Sequence, residues 1–235
     1  MNNITKDIRI TAVIPCFNEE KFIAGVVSNA LAHVSEVLVV DDGSSDNTME
    51  AAIKSGARVI SHKNSQGAGA ATRTGINAAL QNGTDVVVTL DGDGQHDATE
   101  ISLLTQPILA GEADMVIGSR FLRTAKVPVH RKLGIDIITW LYNTGHRNKI
   151  ADSQSGFRAF NRKALEAINI TYPGFGFSIQ TLVQIRKSNL RIREVPVSCI
   201  YHAEGSTQHP FTHGLNVATA VLKIRLKEEL FKARK

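Results

Sequence analysis

Thr84-Asp85-Val86-Val87-Val88-Thr89-Leu90-Asp91-Gly92-Asp93-Gly94-Gln95-His96 is the stretch whose reading decides the fold. Its apolar run lacks polar alternation, the pattern of a strand buried on both faces of a parallel sheet rather than one half-open to water. It then breaks into two carboxylates one residue apart. Outward from it the same rhythm recurs, with strands expected over 8–15, 36–41, 57–61, 84–91 and 114–119 and helices over 20–32, 46–54, 68–81 and 99–110. Strand-helix alternation predicts an α/β domain whose mostly parallel central sheet is flanked by helices. Such sheets take ligands beyond the carboxyl ends of their strands. Three expected strand ends carry chemistry: Pro15-Cys16-Phe17-Asn18-Glu19, Asp41-Asp42-Gly43-Ser44-Ser45-Asp46 and Asp91-Gly92-Asp93.

Beyond residue 119 the pattern changes to a basic stretch over 120–131 with Arg120, Arg123, Lys126, His130 and Arg131. A helix over 132–146 follows, then Asp152-Ser153-Gln154-Ser155-Gly156-Phe157-Arg158, an aromatic turn over 172–177, a helix over 178–188 and a strand over 191–199. From 212 to 235, Leu215, Ala218, Val221, Leu222, Leu226 and Leu230 recur at helical spacing, which predicts an amphipathic tail helix with a basic side. No repeat or linker divides the chain, so residues 1–235 read as one domain.

Composition narrows the function classes. A chain of 235 residues with 43% hydrophobic content can bury one substantial core. A formal charge of +5 does not demand nucleic acid, and suits phosphate-bearing substrates or an anionic membrane surface. Two cysteines, Cys16 and Cys199, are too few for a disulfide framework or a zinc site, which points to a reducing, cytoplasmic setting. The first residues lack the order of a signal peptide, and no apolar run approaches the ~20 residues that span a bilayer. Membrane contact is therefore expected to be peripheral or through a membrane-embedded partner.

Carboxylates at the end of a buried strand need a partner, water or a metal, because unpaired buried charge is very costly. Asp91 and Asp93, with Gln95 beside them, form an oxygen-only set suited to Mg2+ or Mn2+, ions that keep positions open for substrate phosphates. The same residues also fit a solvated turn. Asp41 and Asp42 stand where acids of nucleotide-binding sheets meet a ribose. Asp46 fits a helix N-cap. Gln66-Gly67-Ala68-Gly69 fits a close backbone approach at a helix start better than a dinucleotide loop.

Taken with Gly118-Ser119-Arg120 and Ser155-Gly156-Phe157-Arg158-Ala159, these ordered strings resemble the family-two inverting glycosyltransferases of the GT-A fold. Within them the likeness is strongest to the polyprenyl-phosphate branch typified by dolichol-phosphate mannose synthase. The resemblance implies a nucleotide-sugar-binding half over 8–120, an acceptor-binding half with its lid over 121–211, and the tail over 212–235. It implies that Pro15, Glu19, Asp41, Asp42 and Gly92 line the nucleotide sugar, and that Asp91, Asp93 and Gln95 hold metal and diphosphate. It further implies that Arg120 and Arg131 bind an acceptor lipid phosphate, which guanidinium groups do well. A hydroxyl acceptor would need a base instead, and Asp152 is the nearest candidate, although it fits loop bracing as well. Nucleotidyl transfer and non-catalytic nucleotide-sugar binding are the rival readings.

Two stretches depart from the pattern. At the lid, which includes Ser206, His202 and Thr207 stand where the synthases carry cations, and His202 or His209 can compensate in part. On the acceptor side, Ile135 and Thr139 replace hydroxyl and amide contacts to the phosphate.

Overall fold

The computed structural model describes residues 7–123 and 129–200, with residues 129–131 described in backbone only. Strands β1 (Ile10–Cys16), β2 (Glu36–Asp41), β3 (Arg58–Ser61), β4 (Val86–Thr89), β5 (Met115–Ser119), β6 (Arg158–Asn161) and β7 (Ile192–Pro196) form one sheet in the order β3-β2-β1-β4-β6-β5-β7. All run in one direction except β6, which pairs antiparallel with both β4 and β5. The sheet is thus mostly parallel, with one reversed strand that the sequence pattern did not announce. One continuous sheet runs through both expected halves, since Thr89 of β4 pairs with Arg158 of β6 and Ile117 of β5 with Glu194 of β7.

Among the described residues the helices are α1 (Ile23–Leu31), α2 (Thr48–Lys54), α3 (Ala68–Gln81), α4 (Ile101–Leu109), α5 (Val129–Asn143), α6 (Arg162–Ala167) and α7 (Phe177–Lys187), with a short 3-10 turn at Ala98–Glu100 ahead of α4. Strands β1, β2, β4 and β5 are buried on both sides, as their unbroken apolar runs require, whereas the edge strands β3 and β7 are partly exposed. Ile14, Val39, Val88 and Leu90 join Ile23, Val27 and Leu104 on one face. On the other, Val13, Leu38 and Val87 meet Ile76, Tyr142 and Leu182. Close helix-sheet contact depends on Gly75: a Cβ there would lie 2.3 Å from Val13 Cγ1.

Several boundaries move. α5 begins three residues before the expected 132, because the basic residues of its first turn read as loop. Asp46, expected to cap α2, precedes the boundary residue Asn47, yet still accepts the Thr48 N–H at 3.0 Å. The carbonyl of Pro173 accepts the N–H groups of Gly69 (2.6 Å) and Ala70 (3.2 Å), so the aromatic turn caps α3. Only glycine fits there, since a Cβ on Gly69 would lie 2.2 Å from Tyr172 O. No described helix is long and apolar enough to cross a membrane.

Candidate active site

Strand order reverses between β1 and β4, because β2 and β3 lie to one side of β1 and the later strands to the other. Open α/β sheets bind ligands in the crevice at such a reversal. Pro15–Glu19 leaves β1 on one bank of that crevice and Asp91–Asp93 leaves β4 on the other.

The β1 bank is fastened to the loop after β2. Asn18 adopts φ +57°, a left-handed conformation that asparagine tolerates better than most residues. In this pose its N–H donates to Ser44 Oγ (2.9 Å) while its Oδ1 accepts the Ser45 N–H (2.9 Å). The Glu19 N–H donates to Thr48 Oγ1 at 2.7 Å. Burial, then the charges of Asp93 and Asp91, push the Glu19 carboxyl up to about 7. Negative charge therefore accumulates where the two banks face each other.

Asp41 and Asp42 are buried at the neighbouring strand end. Asp41 accepts from the Ser44 N–H (3.2 Å) and Ser61 Oγ (3.0 Å). Both oxygens of Asp42 are engaged by the loop after β3: His62 Nδ1 at 2.7 Å, Ser65 Oγ at 2.7 Å, the Gln66 N–H at 2.9 Å and the Gly67 N–H at 2.7 Å. Burial raises its pKa, but these donors outweigh burial and hold the carboxyl below the ordinary range. Asp42 thus holds the wall of the crevice in place, a different task from presenting an open carboxylate to a ribose.

On the β4 bank, Asp91 is about half exposed and Asp93 accepts the Gln95 N–H at 3.0 Å. His96 is buried, tilted against the Phe157 ring, with Nε2 3.6 Å from Asp91 Oδ2. The protein crowded around the crevice works against ionised Asp91 although its side chain reaches solvent, but His96, Arg120 and Arg158 outweigh this and hold its carboxyl low. Asp91 has room because its neighbour on the β6 side is glycine: a Cβ on Gly156 would lie 2.5 Å from Asp91 Oδ2. Thr89 Oγ1 fixes that neighbour by donating to Gly156 O at 2.8 Å.

The β5–β6 side is charged differently. Arg120 forms a two-pronged ion pair with fully buried Asp152, Nε to Oδ2 at 2.8 Å and Nη2 to Oδ1 at 2.9 Å. Asp152 also accepts the N–H groups of Gln154 and Ser155, and its carboxyl is held low by Arg120 against the opposing effect of burial. That geometry is a loop brace. As a general base, Asp152 has neither exposure nor a free oxygen edge. Sequence reasoning assigned no role to Arg158, yet it is buried and donates to the carbonyls of Ser153, Ser155 and Ser178 and to Thr181 Oγ1. Burial draws its pKa down to about 10, so it stays charged at neutral pH and faces Asp152 and Asp91. Its only sequence signal is its place in Ser155-Gly156-Phe157-Arg158. Glu194, also unforeseen, accepts the N–H groups of Ala151 (2.7 Å) and Asp152 (2.9 Å).

Arg131 lies in the first turn of α5, but its side chain falls outside the described residues, as do the lid positions His202, Ser206, Thr207 and His209 and the tail over 212–235. The structure therefore brings together Pro15, Glu19, Asp41, Asp42, Asp91, Gly92, Asp93 and Gln95 at one edge, with Arg120 and Asp152 locked to each other beside it.

Residues 11–168, the span that contains both banks and the Gly156–Arg158 string, match the family described as Glycosyl transferase family 2. The chain belongs to that family. This glycosyltransferase is 33% identical over 237 residues to a UDP-N-acetylglucosamine–dolichyl-phosphate N-acetylglucosaminyltransferase of Methanococcus voltae, covering 90% of this chain and 91% of the relative. It is 32% identical over 234 residues to the polyprenol monophosphomannose synthase of Mycolicibacterium smegmatis, covering 92% and 85%. Its fold matches glucosyl-3-phosphoglycerate synthase from Mycobacterium tuberculosis, crystallised with Mn2+, uridine diphosphate and phosphoglyceric acid, with a TM-score of 0.74 and 25% identity over 92% of this chain and 78% of that one. The GT-A fold expected from the resemblance is the fold of the transferase.

Proposed function

We propose that the transferase moves a hexose or N-acetylhexosamine, with inversion, from a UDP- or GDP-sugar to a polyprenyl phosphate at the cytoplasmic face of a membrane. One observation carries this reading: Glu19, Asp91 and Asp93 converge on the crevice, while the Arg120 guanidinium beside them is engaged by Asp152. That arrangement suits a divalent cation arriving with a diphosphate. Among the described residues no three His, Cys, Asp or Glu side chains close on one point. Two carboxylates plus substrate oxygens match the habit of Mg2+ and Mn2+ of taking few protein ligands. Asp91 and Asp93, with Gln95 alongside, would hold the ion, which when bound supplies charge neutralisation for a departing diphosphate.

The protein's own part is positioning. Pro15, Glu19 and Gly92 face the nucleotide sugar, and Asp41 and Asp42 set the wall behind it by fixing the loops over 43–45 and 62–67. Arg131 and the braced charge of Arg120 meet the acceptor phosphate. An ionised phosphate oxygen attacks the anomeric carbon as the bond to the diphosphate breaks, with no proton to remove, so placement and charge screening dominate. The brace on Asp152 supports this acceptor over a hydroxyl, which would require a base.

The test is to incubate the protein with Mn2+ or Mg2+, radiolabelled UDP- and GDP-sugars and a membrane lipid extract, then to partition the mixture. Label entering the organic phase is the expected result. Label confined to water with every donor counts against the lipid acceptor.

A further inference from the structure

Glu100 ends the 3-10 turn that follows Asp91, Asp93 and Gln95, and its side chain is only 11% exposed. Both of its oxygens are taken. Oε2 accepts the Ser198 N–H at 2.7 Å, while Oε1 accepts Ser198 Oγ at 3.0 Å and Arg123 Nη1 at 2.8 Å. The same Nη1 also donates to Ser198 Oγ at 3.2 Å. This triangle fastens the residues that leave β5 to those that leave β7. Two backbone bonds extend it: the Ile200 N–H donates to Gln95 O at 2.9 Å, and the N–H of fully buried Val197 to Ser119 O at 3.2 Å. Gly118 leaves room for Val197, since a Cβ there would lie 2.9 Å from Val197 Cγ1.

We propose that Glu100 is a positioning residue for the acceptor: through Arg123 and Ser198 it sets where the stretch over 120–123 stands relative to Asp91, Asp93 and Gln95. It touches no substrate in this role. Two carboxylates hold the stretch at two points, Asp152 on Arg120 and Glu100 on Arg123. Asp152 belongs to the loop before β6 and Glu100 to the turn after β4, so the stretch is fixed from both sides. Folding stability gives little reason for the second point, because the Arg123 side chain is 51% exposed and ion pairs so open to water contribute little. A geometric task does give one. The acceptor phosphate must meet the anomeric carbon opposite the departing diphosphate, and a misplacement of about 1 Å can cost about 100-fold in rate. Direct contact between Arg123 and the acceptor fits less well, since its Nη1 is already engaged by Glu100 and Ser198. The inference deepens the lipid-phosphate reading and rests on it.

Glu100→Gln, Arg123→Ala and the double variant are compared with the wild type in Mn2+-dependent transfer to a polyprenyl phosphate. Glu100→Gln keeps an oxygen for the Ser198 N–H and loses the ion pair, and Arg123→Ala trims a half-exposed side chain, so thermal melting should stay near wild type. In each, KM for the polyprenyl phosphate should rise about tenfold while KM for the nucleotide sugar moves by less than about twofold. The double variant should be no worse than either single one, since both changes break the same link. In protein without metal or substrate, Glu100→Ala should quicken hydrogen exchange at the Ser198 and Ile200 amides by about tenfold or more. Lower melting with KM for the lipid unchanged leaves Glu100 a brace and overturns the inference, as does additive loss in the double variant or unchanged amide exchange. A lower KM for the lipid in Glu100→Gln overturns it too, because a released Arg123 would then be binding the phosphate itself. A wild type that puts no label into lipid with any donor removes the acceptor reading and the inference with it, whereas wild-type transfer with indifferent variants removes the inference alone.

Discussion

The two sides of the crevice solve the same problem, burying acids at strand ends, in opposite ways. On the β1–β2 side, Asp41 and Asp42 are satisfied by hydroxyls, backbone N–H groups and His62. On the β5–β6 side, guanidinium groups take that part, Arg120 directly on Asp152 and Arg158 from within the core. Asp91 and Asp93 lie on the seam between them, where Glu19 is already driven up to about 7 by burial and by their charge. Positive charge is thus supplied on one side, neutral donors on the other, and a surplus of negative charge is left in the middle. A cation-bearing substrate fits that middle.

The contrast is broken most severely at the seam. Asp93→Asn should reduce metal-dependent turnover by about a thousandfold or more, on the scale of losing a metal that stabilises the transition state. Its urea midpoint should stay near wild type, and full retained activity would contradict the proposed metal role. Next in size is the ion pair: Arg120→Ala leaves Asp152 buried and unpaired, at a cost of roughly 3–5 kcal/mol in urea unfolding. The double variant Arg120→Ala with Asp152→Ala should recover most of that stability. If it recovers activity as well, Arg120 serves as a brace and takes no part in acceptor binding.

Gly156→Ala sharpens the comparison by pushing on Asp91 from the β6 side. Since the new Cβ would sit 2.5 Å from Oδ2, apparent Mn2+ affinity in turnover assays should fall about 10- to 100-fold, the usual range when a ligand's support is disturbed. The smallest effect concerns Asp114, which joins β5 to β7 by accepting from Arg191 and is held at about 2 chiefly by that hydrogen bond. Its folded pKa is depressed, so its contribution is complete above the unfolded value near 4 and disappears as pH falls through about 2. Asp114→Asn should therefore abolish a stability slope of about 2 kcal/mol across that acid window.

Most of the scaffold was legible because doubly buried strands advertise themselves. Val37–Val40 and Val86–Leu90 have no other plausible burial, and Asp91 and Asp93 are close enough in sequence for their spacing to speak. β6 was not legible. It is four residues long, opens with a buried arginine, and owes its place to pairing with β4 rather than to periodicity. The Arg120–Asp152 brace joins residues 32 apart, and no local pattern encodes it. Asp42 was read as an acid facing ligand because its strand-end position was visible, whereas the loop over 62–67 that folds onto it was not. The first turn of α5 read as loop because its basic residues hid its helical register.

The reversed strand also bears on how the chain reaches its working form. Thr89 and Gly156, which set the distance between Asp91 and its glycine neighbour, are 67 residues apart. Closing so long a segment costs entropy before the contact repays it, and pairings of this kind form late in folding. The carboxylates leave the ribosome early, but the pocket around them waits for β6. A nascent chain therefore carries the acids of its reaction for some time before it has the walls to use them.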